Sequence, residues 1–257
     1  MTTLIQGSIP LLISLPHNSS FIPDALRERM TDTAQFAPDT DWFVDQLYDF
    51  ARDWGASILI PSYSRYVVDL NRPANDESLY PGQNTTGLCP AVQFSGEPVY
   101  QAGREPSFDE IRLRIEQYWE PYHAALREEL ERLRTEFGRV VLWEGHSIKG
   151  DDLPYLFEGR LPDLNIGTAG GISCRPETQE RLQFVLEEQD RFDWVINGRF
   201  QGGYNTRHYH DVDNGIETIQ LEMSQRTYMD EQRVAFHQEK AEQAQVVIAA
   251  LLHAALS

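Results

Sequence analysis

Two short apolar runs, far apart in the chain, each lead into a histidine. Leu11-Leu12-Ile13-Ser14-Leu15 breaks at Pro16 before His17, and Val140-Val141-Leu142-Trp143 breaks at Gly145 before His146. Runs this short, apolar at consecutive positions, read as strands covered on both faces, which restricts the chain to a layered α/β arrangement. In such sheets the side chains at the carboxyl ends of strands line the ligand crevice. An imidazole at two of these edges points to a site, and first to a metal hydrolase.

The rest of the chain supplies the helices such a sheet needs. Trp42, Phe43, Leu47, Phe50, Ala51 and Trp54 recur at helical spacing, so residues 39–54 read as a helix closed by Gly55. Residues 57–61 and 66–70 read as short strands. Residues 73–106 are rich in Pro, Gly, Asn and Thr, and read as a long loop forming a rim or lid. Ser107-Phe108-Asp109-Glu110 fits a capping box and opens a long helix, which Pro121 should kink or interrupt.

A strand over 139–143 then leads to His146. Residues 152–171 read as loop plus a short strand near 164–168, 176–188 as a helix, and 194–196 as a strand. A strand over 216–221 delivers Glu222, 203–221 offers an antiparallel pair, and 230–256 reads as one amphipathic helix. Strands alternating with helices predict an α/β fold, a layered sheet with helices on both faces, with residues 1–257 as one unit.

Composition narrows the function. With 22 basic against 40 acidic residues the formal net charge is −18, which repels nucleic acid and anionic lipid. Any anionic substrate must be captured by local arginines. No segment approaches the roughly 18–20 apolar residues of a membrane helix, and the N-terminus lacks a secretory pattern, so a soluble, cytoplasmic protein is expected. Cys89 and Cys174 have no C-x-x-C neighbour and read as ordinary residues. Phosphate loops and nucleophile elbows are absent from the sequence.

Catalytic zinc takes three protein ligands from His and carboxylate and keeps one position open. His17 and His146 supply two if their strands are neighbours. Asp41 is the natural third, with Asp39 as the alternative two residues away. The chain has no H-E-x-x-H. Arg207 follows the Gly202-Gly203 turn, where backbone can approach a ligand closely, and is a candidate carboxylate clamp with His208 beside it. Arg65 reads as solvated or paired with Asp69. His123, His237 and His253, on helices among charged residues, receive no role. The C-terminal helix reads as an outer layer, with a dimer face as the alternative; monomer and homodimer are both open.

The strings Leu15-Pro16-His17, Asp39-Thr40-Asp41-Trp42, Ser64-Arg65-Tyr66-Val67-Val68-Asp69-Leu70-Asn71-Arg72-Pro73, Gly202-Gly203-Tyr204-Asn205-Thr206-Arg207-His208-Tyr209 and Gln220-Leu221-Glu222-Met223 occur in that order over about 200 residues. Together they resemble the N-formylglutamate amidohydrolase (deformylase) family, itself similar in architecture to zinc carboxypeptidases and aspartoacylases. The resemblance implies a three-layer α/β/α single domain around a mixed sheet, and a small-molecule substrate, N-formyl-L-glutamate, hydrolysed to formate and glutamate in the last step of one histidine-degradation route.

It also implies zinc on His17, Asp41 and His146, Glu222 as general base, and the Asn71-Arg72 pair as a carboxylate binder. His17 departs from the wider carboxypeptidase pattern, because no glutamate follows three residues on, and the choice between Asp41 and Asp39 stays open. Such ligands also accept cobalt or manganese. Related readings are an amidohydrolase for another N-acyl amino acid such as N-formylaspartate, and a metal-free binding protein of the same fold.

Overall fold

The computed structural model describes residues 2–79, 81–151 and 153–257. Tyr80 inside the expected 73–106 loop and Asp152 at the head of the expected 152–171 segment lie outside the described residues, as does Met1. Among the described residues seven strands form one mixed sheet: β1 (Thr2–Ile5), β2 (Leu11–Ser14), β3 (Ser57–Pro61), β4 (Val140–Ile148), β5 (Leu164–Gly167), β6 (Trp194–Ile196) and β7 (Ile216–Ser224). Their spatial order is β1-β3-β2-β4-β7-β5-β6. The run β3-β2-β4-β7 is parallel, while β1 adds to β3 and β5 to β7 antiparallel. A two-stranded ribbon, β8 (Met229–Asp230) with β9 (Ala235–Phe236), stands apart.

The helices are α1 (Asp24–Arg27), α2 (Val44–Leu47), α3 (Phe50–Asp53), α4 (Phe108–Arg114), α5 (Glu120–Phe137), α6 (Pro176–Glu188), α7 (Tyr204–Tyr209) and α8 (Gln238–Leu256). Alternation along the central strands sorts them into layers. Ile13, Val141, Trp143, Ile219 and Leu221 pack with α2, α3, α6 and α8. Leu12, Val140 and Leu142 point the other way, onto α5 and α7. This is the expected three-layer architecture. Trp143 is wholly buried at its centre, and truncating such a side chain to Ala costs about 3–5 kcal/mol. Among the described residues no helix is long and apolar enough to cross a membrane.

Several expected elements differ in the structure. Residues 39–54 are not one helix: Phe43 takes a left-handed conformation and only the short α2 and α3 follow. The Asp41 amide is committed to the His17 carbonyl at 3.1 Å, which holds this stretch against the sheet edge. Residues 66–70 are buried but irregular, because Asp69 and Asn71 spend their polar groups on the site rather than on a ladder. The long helix is interrupted as expected for Pro121, by a π turn at Ile115–Trp119. Proline has no amide hydrogen to donate, so the helix widens just before it. Ser107 caps α4 as read, accepting from the Glu110 amide.

Strand β4 runs through His146 and β7 through Glu222, so both residues lie inside strands rather than past their ends. Within 203–221 the expected antiparallel pairing amounts to one bridge, Asp211 with Ile216, and α7 precedes β7. The C-terminal helix begins at Gln238, after the β8–β9 ribbon, and its alanine-rich face packs into the core. Both cysteines are free.

Candidate active site

The central strands place polar residues on the face that packs against α5, in two successive rungs. In the first, Ser14 on β2 and Gln220 on β7 are each register partners of Glu144 on β4. In the second, His146 and Glu222 are partners across β4 and β7. Strands buried on both faces are ordinarily apolar throughout. Here the apolar pattern stops at Leu142, and every later inward position on β4 up to His146 is polar.

His17 and Asp41 arrive from loops to complete a cluster. One donor atom from each of His17, Asp41 and His146 lies within 4.8 Å of the others, and all three residues are buried. The Asp41 Oδ2 atom is 3.1 Å from His146 Nδ1 and 3.7 Å from His17 Nδ1. Ligands about 2 Å from one ion stand roughly 3–4 Å from each other, so this donor set fits a divalent cation. Asp39 is directed elsewhere: its Oδ2 accepts from the Tyr66 hydroxyl at 2.7 Å and the Phe94 amide at 2.8 Å.

Each imidazole also meets a group on its far nitrogen. His17 Nε2 is 2.7 Å from Asp69 Oδ1, and Arg65 holds the other Asp69 oxygen at 2.6 Å. A carboxylate behind a ligating histidine sets the ring's orientation and tautomer. The sequence reading missed Asp69 as a site residue, although it lies within Asp69-Leu70-Asn71-Arg72. Burial alone would raise the Asp69 carboxyl, but Arg65, His17 and Arg72 outweigh it and keep it well below the usual range.

His146 feels the reverse balance. Burial opposes its charge, yet Asp41, Glu144 and Glu222 together push it up to about 10, a pocket that calls for positive charge. At His17 burial, aided by Arg65, wins and lowers the pKa. Glu222 is pushed up to about 8, first by burial and then by the charge of Asp41, with His146 opposing.

These groups open onto a cleft of about 590 Å³, its mouth included, lined by His17, Asp41, Asn71, Arg72, His146 and Glu222. Arg65, Arg199, Thr86 and Phe94 also line it. The long loop thus forms part of the wall, as expected for a rim. Arg65 is buried and paired with Asp69 as read, and its guanidinium also sits 4.6 Å above the Phe94 ring at the cleft.

Arg207 and His208 are not among the described residues lining the cleft. The Nε of Arg207 donates to the Gly202 carbonyl, and the exposed His208 ring stacks on Tyr204 at 4.6 Å. The close approach allowed by the glycines is to protein. A Cβ on Gly203 would lie 2.3 Å from the Asn71 side chain, which is docked on the start of α7. Arg199, on the connection after β6, had no local signal beyond its glycine-flanked position.

A three-layer α/β domain with a His-Asp-His cluster and a raised carboxylate at the carboxyl edge of its sheet has the build of an amide-hydrolysing enzyme. The family model of N-formylglutamate amidohydrolase matches residues 9–229, and the chain belongs to that family. It is 49% identical over 253 residues to an N-formylglutamate deformylase of Pseudomonas putida, covering 98% of this chain and 94% of the relative. A deformylase of the same name from Pseudomonas aeruginosa is 45% identical with the same coverage. The crystal structure of an N-formylglutamate amidohydrolase from Ralstonia eutropha shares the fold, with a TM-score of 0.83 at 23% identity, covering 98% of this chain and 96% of that one. A gene product of Agrobacterium tumefaciens shares it at a TM-score of 0.69 and 17% identity, over 98% and 94% of the two chains.

Proposed function

We propose that this chain, acting over residues 1–257 as one catalytic unit, hydrolyses N-formyl-L-glutamate to formate and L-glutamate with zinc held by His17, Asp41 and His146. The observation that carries the reading is that the ligand trio, Glu222 and guanidinium groups all line one cleft. The substrate follows from the names of full-length relatives at 49% and 45% identity. When bound, a divalent ion supplies Lewis acidity and makes a hydroxide-strength nucleophile available near neutral pH.

The chain's residues do the rest. Glu222, poised by its raised pKa, removes a proton from the attacking water and returns it to the leaving amine nitrogen, as a C–O bond replaces the C–N bond. Arg65, buried and oriented by Asp69, faces the negative charge that develops on the formyl oxygen. Arg72 and Arg199 bind the two substrate carboxylates, a task suited to planar guanidinium groups. Asn71 presses against His146 and frames the same wall.

Formate release by zinc-loaded protein tests this directly. N-formylglutamate should give the highest kcat/KM, with N-formylaspartate and N-acetylglutamate at least about tenfold lower, since a hydrogen-bonded site discriminates strongly by fit. Equal or faster turnover of N-formylaspartate would refute the substrate assignment.

A further inference from the structure

One buried carboxylate is unused by this chemistry. Glu144 is wholly buried, its Oε1 has no hydrogen-bond partner among the described residues, and its Oε2 accepts from Asn205 Nδ2 at 3.1 Å. A buried carboxylate without a cation or a full set of donors is costly. Among the other polar groups on this face, His146 Nε2 lies 3.7 Å from Oε2, an ion-pair separation rather than a formed hydrogen bond.

The same Nε2 is 3.1 Å from Asn71 Nδ2. Which end of the Asn71 amide faces the ring is decided elsewhere, because its Oδ1 accepts from the Asn205 backbone amide at 2.9 Å and a backbone N–H can only donate. Asn71 therefore presents a donor to His146. That suits a ring whose Nε2 is bare and whose Nδ1 carries the hydrogen toward Asp41. A ring that gives its Nδ1 lone pair to a cation must carry its hydrogen on Nε2. Two N–H groups then confront each other across 3.1 Å, and Glu144 is the acceptor that relieves the conflict.

We infer that Glu144 is the positioning residue for His146: it accepts the Nε2 hydrogen of the cation-loaded ring and so fixes Nδ1 toward the metal. It plays for His146 the part Asp69 plays for His17, from within the strand rather than from a loop. The inference rests on the proposed metal site.

The test is zinc affinity, measured by competition with a chromophoric chelator on the full chain. Glu144→Gln should weaken zinc about 10-fold and Glu144→Ala nearer 100-fold, the range seen for groups behind metal-bound histidines. Asn205→Ala, which removes the other partner of Glu144, should change affinity less than about threefold on the same reasoning. In histidine-labelled, zinc-loaded protein, the His146 Nε2 hydrogen should give a low-field imidazole resonance that moves upfield in Glu144→Gln. Should Glu144→Ala fail to fold, the near-isosteric Glu144→Gln decides. Wild-type zinc affinity in Glu144→Gln, with an unmoved resonance, overturns the inference and leaves the metal site standing. Failure of the wild-type chain to bind zinc overturns both.

Discussion

His146 and His123 are both buried histidines on the α5 side of the sheet, and their surroundings drive them in opposite directions. His146 is ringed by Asp41, Glu144 and Glu222 and pushed up to about 10. His123, on α5, is packed on Trp119 with ring centres 3.7 Å apart and bonded through Nδ1 to the Tyr209 hydroxyl at 2.7 Å. Burial, with smaller contributions from Arg127 and His208, brings it down to about 3. Desolvation disfavours charge on both rings, so the net charge of the neighbouring groups decides the outcome. A buried imidazole by itself marks no site; one facing several acids does.

The sharpest way to break this contrast is to delete the rings. His17→Ala or His146→Ala should abolish stoichiometric zinc by elemental analysis and lower formate release by about 10⁴-fold or more, the scale of losing a metal-activated nucleophile. His123→Phe should keep zinc and stay within about threefold in kcat. Zinc loss in His123→Phe would dissolve the distinction.

Next in size, Glu222→Gln should lower kcat by about 10²–10⁴-fold with zinc retained. The ionised form of Glu222 is the active one, so wild-type activity should rise with pH through its pKa, and this acid limb should be absent from the variant's residual activity. An unaltered acid limb would assign it to another group.

Smaller again, Arg199→Ala should raise KM for N-formylglutamate about 10- to 100-fold, and Arg207→Ala less than about threefold, because only the first lines the cleft. The reverse order would return the clamp to α7.

The last effect lies in stability, outside catalysis. His123 binds fewer protons folded than unfolded between about 3 and its ordinary 6.5. Its neutral burial is therefore fully tolerated above pH 6.5, and stability is lost as pH falls from 6.5 toward 3. At about 1.4 kcal/mol per pH unit the loss is at most about 5 kcal/mol. Denaturant titrations at pH 7 and pH 4 should show a smaller acid loss in His123→Phe than in wild type.

Much of the architecture was legible in one dimension. The α6 helix and the strands β3 and β6 match the bounds read from periodicity and punctuation, since each is a local apolar pattern with its own stop signals. The segment 39–54 was misread because its apolar spacing is helical while its hydrogen bonds are not. The Asp41 amide and carboxylate are drawn to His17, His146 and Ser147, contacts no local pattern encodes. Glu144 did leave a trace: a charged residue inside a doubly buried strand.

The sequence by itself determined that short strands buried on both faces lead toward His17 and His146, because consecutive apolar runs of that length have few other arrangements; that the two strands are neighbours was decided by the sheet order. Only the tertiary structure decided which acids surround those rings and which arginines reach the cleft. Asp69, Glu144 and Arg199 come from a coil, a strand interior and a strand-end connection, and the through-space proximity that gives each its chemistry has no fixed separation along the chain.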